Sequence, residues 1–235
     1  MTAQAILEEI KPLGRASYKK VLLNHGVKEP FFGVKIEVLK KIQKRIKRDY
    51  HLALELYDTG NYDAMYLAGL IADDARMTKA DLRRWVKKAD SGALAGYTVS
   101  GVAAGSPHGR ELALEWIDSA TDFVAAAGWA TLGHRVAIKP DAELDLPELQ
   151  RLLHRVRQTI HQAPNDVRYA MNQFVIAVGS YVPALTGLAV RLGEEIGPVQ
   201  VDMGNTACQV PFAPDYIRKV EKRGTLGKKR KSAKC

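Results

Sequence analysis

The sequence predicts an all-α fold in which helix pairs stack side by side into a curved α-solenoid. Three observations carry that prediction. Apolar residues recur at three- and four-residue spacing through most of the chain, two-residue alternation is nearly absent, and the breaks between apolar stripes are short turns rich in Gly, Pro, Asn and Asp. With 235 residues, 46% of them hydrophobic, the chain is long enough to bury a sizeable core.

Taken in order, the stripes place helices at 3–13, 16–25, 34–49, 51–58, 62–72, 79–89, 92–104, 109–119, 122–135, 147–162, 166–178, 183–196 and 214–222. The third is the most explicit. Val34, Val38, Leu39, Ile42 and Ile46 form one apolar stripe, Gly33 supplies a permissive turn before it, and Lys40, Lys41, Lys44, Arg45, Lys47 and Arg48 make the opposite face cationic. The helix after Pro147 repeats the pattern, with Leu149, Leu152, Leu153, Val156 and Ile160 on one side and Arg151, His154, Arg155 and Arg157 on the other. The breaks at Asp58-Thr59-Gly60-Asn61, Ser106-Pro107-His108-Gly109, Lys139-Pro140-Asp141 and Ala163-Pro164-Asn165-Asp166 are turn chemistry. Apolar segments around Trp85, Trp116 and Leu153 recur near the ~40-residue period of HEAT-type repeats, with an irregular helical bundle as the alternative.

Charge divides the chain into a helical body, 1–216, and a basic C-terminal tail, 217–235. The tail holds nine Lys/Arg against the single acid Glu221, which is +8 of the net +9, so the body is nearly neutral. A flexible cationic end of this kind fits a polyanion, and nucleic acid is the first candidate because each neutralised phosphate releases counterions. A merely solvated tail is the alternative.

Several chemistries lack their residues. Only Cys208 and Cys235 occur, too few for a disulfide framework or a four-cysteine zinc site, and none of the six histidines forms a metal-binding pattern. Neither Gly101–Gly105 nor Gly224–Gly227 has the spacing of a phosphate loop, so no cofactor is expected. The uncharged stretch 169–190 is broken by Asn172, Gln173, Gly179, Ser180 and Pro183 and reads as two buried helices. With acids at Glu8 and Glu9 before any long apolar run, a cytoplasmic, monomeric protein is expected. Trp85, Trp116 and Trp129 are read as core in preference to base-stacking groups, and Asp202 as a turn-capping residue in preference to a general base. Arg168, Tyr169, Asn172 and Gln173 form a polar cluster in an apolar helix. Arg168 and Tyr169 are read as facing a ligand and Asn172 as a structural hydrogen-bonding group.

Phe31-Phe32-Gly33-Val34-Lys35 at the start of a basic amphipathic helix, Leu114-Glu115-Trp116-Ile117-Asp118-Ser119 with Ala125-Ala126-Ala127-Gly128-Trp129-Ala130, and Asn165-Asp166-Val167-Arg168-Tyr169-Ala170-Met171-Asn172 together resemble the AlkD-like DNA alkylation repair family over most of residues 15–200. The resemblance implies a C-shaped stack of HEAT-like repeats with a positively charged concave face for duplex DNA. It also implies, for active members, glycosylase chemistry on alkylated purines with an aspartate, an arginine and tryptophans. Here the segment Asp90-Ser91-Gly92-Ala93-Leu94-Ala95-Gly96-Tyr97 has no aspartate at the catalytic place, Ala126 lies near the arginine position and Gln173 near that of the second tryptophan. The expectation is therefore DNA binding without efficient base excision, through phosphate contacts from Lys40, Lys44, Arg45, Arg48, Arg168, Tyr169, Lys228, Lys229, Arg230 and Lys231. No catalytic residue is assigned. An active N-glycosylase with a relocated carboxylate and a protein-interaction scaffold are the alternatives.

Overall fold

The computed structural model describes residues 1–234, so Cys235, one of the two cysteines of the sequence, lies outside the described residues. All thirteen expected helices are present, and the described residues contain no strand. They are α1 (Ala3–Ile10), α2 (Ala16–Asn24), α3 (Ile36–Ile46), α4 (Tyr50–Asp58), α5 (Tyr62–Ile71), α6 (Lys79–Lys88), α7 (Ser100–Gly105), α8 (Gly109–Trp116), α9 (Asp122–Ile138), α10 (Leu146–Thr159), α11 (Asn165–Tyr181), α12 (Thr186–Ile196) and α13 (Ala213–Lys222). A π-helical turn, Leu94–Val99, leads directly into α7.

Local chemistry sets the boundaries. Asp49, Asn61 and Asp145 each accept a backbone N–H from the first turn of the helix they precede, and Thr78 with Asp81 closes a reciprocal capping box on α6. The third helix is shorter than its stripe at both ends. It starts at Ile36 because the N–H groups of Phe32, Gly33 and Val34 are held elsewhere, and it stops before Lys47, whose φ is 66°.

After an N-terminal layer of α1–α3, the helices alternate between two rows. The inner row is α5, the π turn with α7, α9 and α11; the outer row is α4, α6, α8, α10 and α12. All ten residues of α5 are buried, so its hydrophobic pattern is nearly continuous. Trp85, Trp116 and Trp129 are core residues as expected, with Tyr57 stacked on Trp85 at 4.1 Å. Of the apolar stretch 169–190, the α11 part is largely core, while the part beyond it is buried on one side only, through Leu185 and Ala189, with Pro183, Ala184 and Gly187 exposed. α11 and the segment Pro183–Ile196 meet at a 116° bend, and no single helix among the described residues is long and apolar enough to cross a membrane.

The outer row is laced by ion pairs between successive repeats. Lys79 meets Glu111 at 2.6 Å, Arg83 Nε meets Glu115 at 2.9 Å, Arg110 meets Glu148 at 2.6 Å, Arg155 meets Asp118 at 2.6 Å and Arg157 meets Glu195 at 3.2 Å. Each exposed pair contributes little to stability, because water screens it and both side chains lose freedom in forming it. Their larger consequence is electrostatic, since they neutralise much of the outer surface.

The expected flexible tail is instead docked. The 216/217 division falls inside α13, whose Ile217 is buried against Gly179. Beyond α13 the chain runs back along the C-terminal ends of the inner helices. Gly227 N–H donates to Ser180 O at 2.9 Å, Arg230 N–H to Ala137 O at 2.7 Å, and the Lys229 ammonium to both Tyr181 O and Val136 O at 2.8 Å. Ala233 is buried beside Gly101, and the Lys234 ammonium caps Ala72 O at 2.6 Å. Helix C-termini present orphan carbonyls and the negative end of the macrodipole, so a lysine-rich extended segment is matched to this row of ends.

Candidate nucleic-acid interface

The Phe31–Lys35 motif has a specific structural task. The buried Asp63 carboxylate, in the first turn of α5, accepts the N–H groups of Phe32 at 2.6 Å, Gly33 at 3.0 Å and Val34 at 3.0 Å. Gly33 makes this turn with φ +80°, and a Cβ there would come within 3.0 Å of Arg15 O and Lys19 N. Burial pushes the Asp63 carboxyl above its ordinary pKa, while the three N–H donors and Lys19 restrain the rise.

Asp63 lies beside a group of tyrosines drawn from four elements: Tyr18 on α2, Tyr62 and Tyr66 on α5, Tyr97 on the π turn and Tyr169 on α11. Tyr97 hydrogen-bonds Tyr169 yet remains 43% exposed. Burial pushes the Tyr169 phenol pKa up, reinforced by Tyr97. The neighbouring Gly96 carbonyl accepts from His134 Nε2 at 3.0 Å, tying the π turn to α9. A π turn shifts the register of the helix by one residue, so the local sequence does not show where Tyr97 will point.

The α12–α13 loop, 197–212, spans from the last repeats to the N-terminal layer. At one end the Asn165 amide donates to Asp202 O at 2.9 Å, Arg168 donates to Gln200 O at 2.9 Å, and the Asn172 amide donates to Pro211 O at 3.0 Å. At the other end Cys208 Sγ lies 3.8 Å from His25 Nε2 on the turn after α2. The Val21 carbonyl and the Cys208 thiol raise the His25 pKa, and His25 in turn lowers that of Cys208. Asp202 Oδ1 accepts from Gly204 N–H at 2.8 Å, the turn bond anticipated for it.

A family model described as DNA alkylation repair enzyme matches residues 6–193. The chain belongs to this family. An uncharacterized protein of Listeria innocua, Lin0241, is 30% identical over 220 residues, covering 92% of this chain and 95% of that one. Lmo0209 of Listeria monocytogenes, also uncharacterized, matches to the same extent. A solved structure superposes with a TM-score of 0.92 at 35% identity over 100% of both chains, and is described as a new family of proteins related to the HEAT-like repeat DNA glycosylases with affinity for branched DNA structures. The HEAT-like solenoid expected from helix spacing is therefore the fold of this DNA alkylation repair family member.

Within that frame the predicted site residues separate into groups. Lys40, Lys44 and Arg48 are exposed on and just after α3 and have no carboxylate partner within 4 Å among the described residues. Arg45 is exposed but pairs with Glu9 at 2.6 Å. Lys228, Arg230 and Lys231 are exposed, and their side chains likewise have no carboxylate partner. Two residues are committed to the protein itself. Lys229 lies between two helix-end carbonyls and Asp141, 2.7 Å away, and Arg168 donates from Nη1 to Gln200 O and from Nη2 to Ala163 O, with its buried Nε left without a hydrogen-bond partner among the described residues. Asn172 is structural, as read from sequence. Sequence reasoning did not find the tyrosine group, because its members are spread from position 18 to 169 and only folding assembles them.

At the positions compared with active glycosylases, Ala126 is buried and Asp90 is exposed. Asp118 is paired with Arg155. One further carboxylate stands out. Asp166 is half-buried near Asp122 and Gly92, and burial followed by the Asp122 charge raises its pKa.

Proposed function

We propose that the protein binds DNA, with preference for branched structures, through unpaired cations on α3 and the C-terminal segment, and that it does not excise bases efficiently. The observation that carries this reading is the sorting of charge. Most cations of the outer row, Lys79, Arg83, Arg110, Arg155 and Arg157 among them, are paired repeat to repeat with acids, whereas Lys40, Lys44, Arg48, Lys228, Arg230 and Lys231 have no such partner among the described residues. Unneutralised cations are what counterion release requires. The affinity of the structurally similar protein for branched DNA supports the same substrate class.

The tyrosine group supports the second half of the reading. Base excision needs a carboxylate beside the developing positive charge on the sugar. The carboxylate beside these tyrosines, Asp63, is occupied by three backbone donors. Tyr97, exposed on the same side of the protein as its partners, offers a stacking platform for a base pair left open at a junction.

Fluorescence anisotropy with intact duplex, alkylated duplex and four-way junction DNA across a salt series tests this proposal. Tightest binding is expected for the junction. A Lys40→Glu/Lys44→Glu/Arg48→Glu variant should lose affinity by about 10²-fold or more, with a shallower salt slope, each lost phosphate contact removing about 0.9. Equal affinity and slope in variant and parent would defeat the reading.

A further inference from the structure

The docked C-terminal segment and α3 enclose a cleft of about 440 Å³ that neither forms alone. One wall is Lys40, Lys44, Lys47 and Arg48; the other is Ser232 and Lys234. Asp74 also lines it, and its carboxylate is held by the Lys234 ammonium at 2.6 Å, leaving the four α3-side cations without an ion-pair partner among the described residues. We propose that this cleft is a phosphate-ester site, and that docking of the C-terminal segment through Lys234 completes it.

Two features of the geometry point to phosphate. The cations converge from one wall while the facing wall presents a hydroxyl at Ser232, a combination of charges and a donor that fits tetrahedral oxyanions. Against this, the C-terminal ends of α3 and α5 contribute negative potential at the cleft, which an anion must overcome through Lys44, Lys47 and Arg48; among the described residues the one acid lining it, Asp74, is paired with Lys234. The second wall is fixed over a distance. Lys229, bonded to the ends of α9 and α11, anchors the segment at one place, and Lys234, bonded to Ala72 and Asp74, anchors it at the other, which positions Ser232 between them. The segment therefore acts as a built wall and not as a loose polycation.

This site rests on the nucleic-acid reading for its macromolecular ligand, a DNA strand phosphate, but its chemistry extends to any phosphate ester. Two probes separate the possibilities. Calorimetry on the full chain with inorganic pyrophosphate should show saturable binding that Lys44→Glu/Lys47→Glu weakens at least tenfold. Anisotropy with junction DNA should show the same variant weakened in parallel. A second variant isolates docking from charge. Asp74→Ala/Lys234→Ala leaves net charge unchanged, yet should weaken both ligands about fivefold or more, and hydrogen exchange at the Gly227 and Arg230 amides should accelerate.

Pyrophosphate binding that responds to the α3 variant, without any DNA binding, would uphold the cleft and remove the nucleic-acid reading. DNA binding unaffected by the α3 variant, or pyrophosphate binding absent in the parent, would overturn the cleft. Full affinity of Asp74→Ala/Lys234→Ala for both ligands would overturn the role of the docked segment.

Discussion

Lys234 and Asp74, 160 residues apart in sequence, meet at 2.6 Å and join the C-terminal segment to the turn after α5. Burial lowers the Lys234 pKa and raises that of Asp74, in each case against the attraction between the two. Desolvation thus offsets much of what the pair contributes. The value of the contact lies in position, because it holds the highly charged C-terminal segment against the turn after α5.

Removing one partner should cost more than removing both. Lys234→Ala strands the Asp74 carboxylate and frees Ala72 O, a loss of about 1–3 kcal/mol, whereas Asp74→Ala/Lys234→Ala leaves no uncompensated charge. Urea unfolding of the parent, both single variants and the double variant supplies the comparison. A double variant less stable than either single one would contradict this ordering.

Asp63 should be among the most sensitive polar positions. Asp63→Ala leaves three N–H groups of the Phe32–Val34 turn without their acceptor, and a loss of about 3 kcal/mol or more is expected. Asp63→Asn should be intermediate, since one carbonyl oxygen replaces two. Thermal melts of both variants test this, and a shift of less than a degree for Asp63→Ala would refute it.

Asp81 should shape the acid limb of stability. Burial pushes its pKa up, but the Thr78 hydroxyl, the Tyr50 hydroxyl, the Thr78 N–H and Arg84 together outweigh that and hold it below the ordinary carboxylate value. A depressed folded-state pKa contributes stability that is present above the unfolded carboxylate value, about 4, and is lost as pH falls through the lower folded value. Asp81→Asn should therefore cost roughly 1 kcal/mol at pH 7 and show less loss between pH 4 and pH 2 than the parent. Parallel pH profiles for the two proteins would exclude this role.

Base release from DNA containing 3-methyladenine or 7-methylguanine should not exceed the uncatalysed rate by more than a small factor. Single-turnover assays with protein in excess avoid confusing slow product release with slow chemistry. Asp166→Asn is the informative control, because Asp166 is the half-buried carboxylate with a raised pKa. Lesion-specific release in the parent that disappears in this variant would establish excision by a relocated acid.

Tyr97→Ala should weaken junction binding more than duplex binding, since a stacked base is worth about 1–3 kcal/mol where bases are open and little where they are paired. Competition anisotropy between the two DNAs gives the ratio directly. An unchanged ratio would leave Tyr97 without a part in branch selection.

The sequence by itself determined the helices, their order and the repeat spacing. Stripes such as Val38-Leu39-Ile42-Ile46 and Leu149-Leu152-Leu153-Val156 repeat every three to four residues, and Asn61, Thr78 and Asp145 stand where helix N-termini need acceptors. Those are local rules, satisfied within one or two turns. Tertiary structure decided which charges are free. Arg155 and Asp118 are 37 residues apart, Lys229 and Val136 are 93 apart, and whether a lysine meets water, a carboxylate or a helix end depends on how the repeats stack. The same holds for the tyrosine group and for the carbonyls that accept from the two Arg168 Nη atoms. Composition could show that the C-terminal segment is cationic; only the row of helix ends beneath it shows that Lys229 and Lys234 serve the fold while Lys228, Arg230 and Lys231 face solvent.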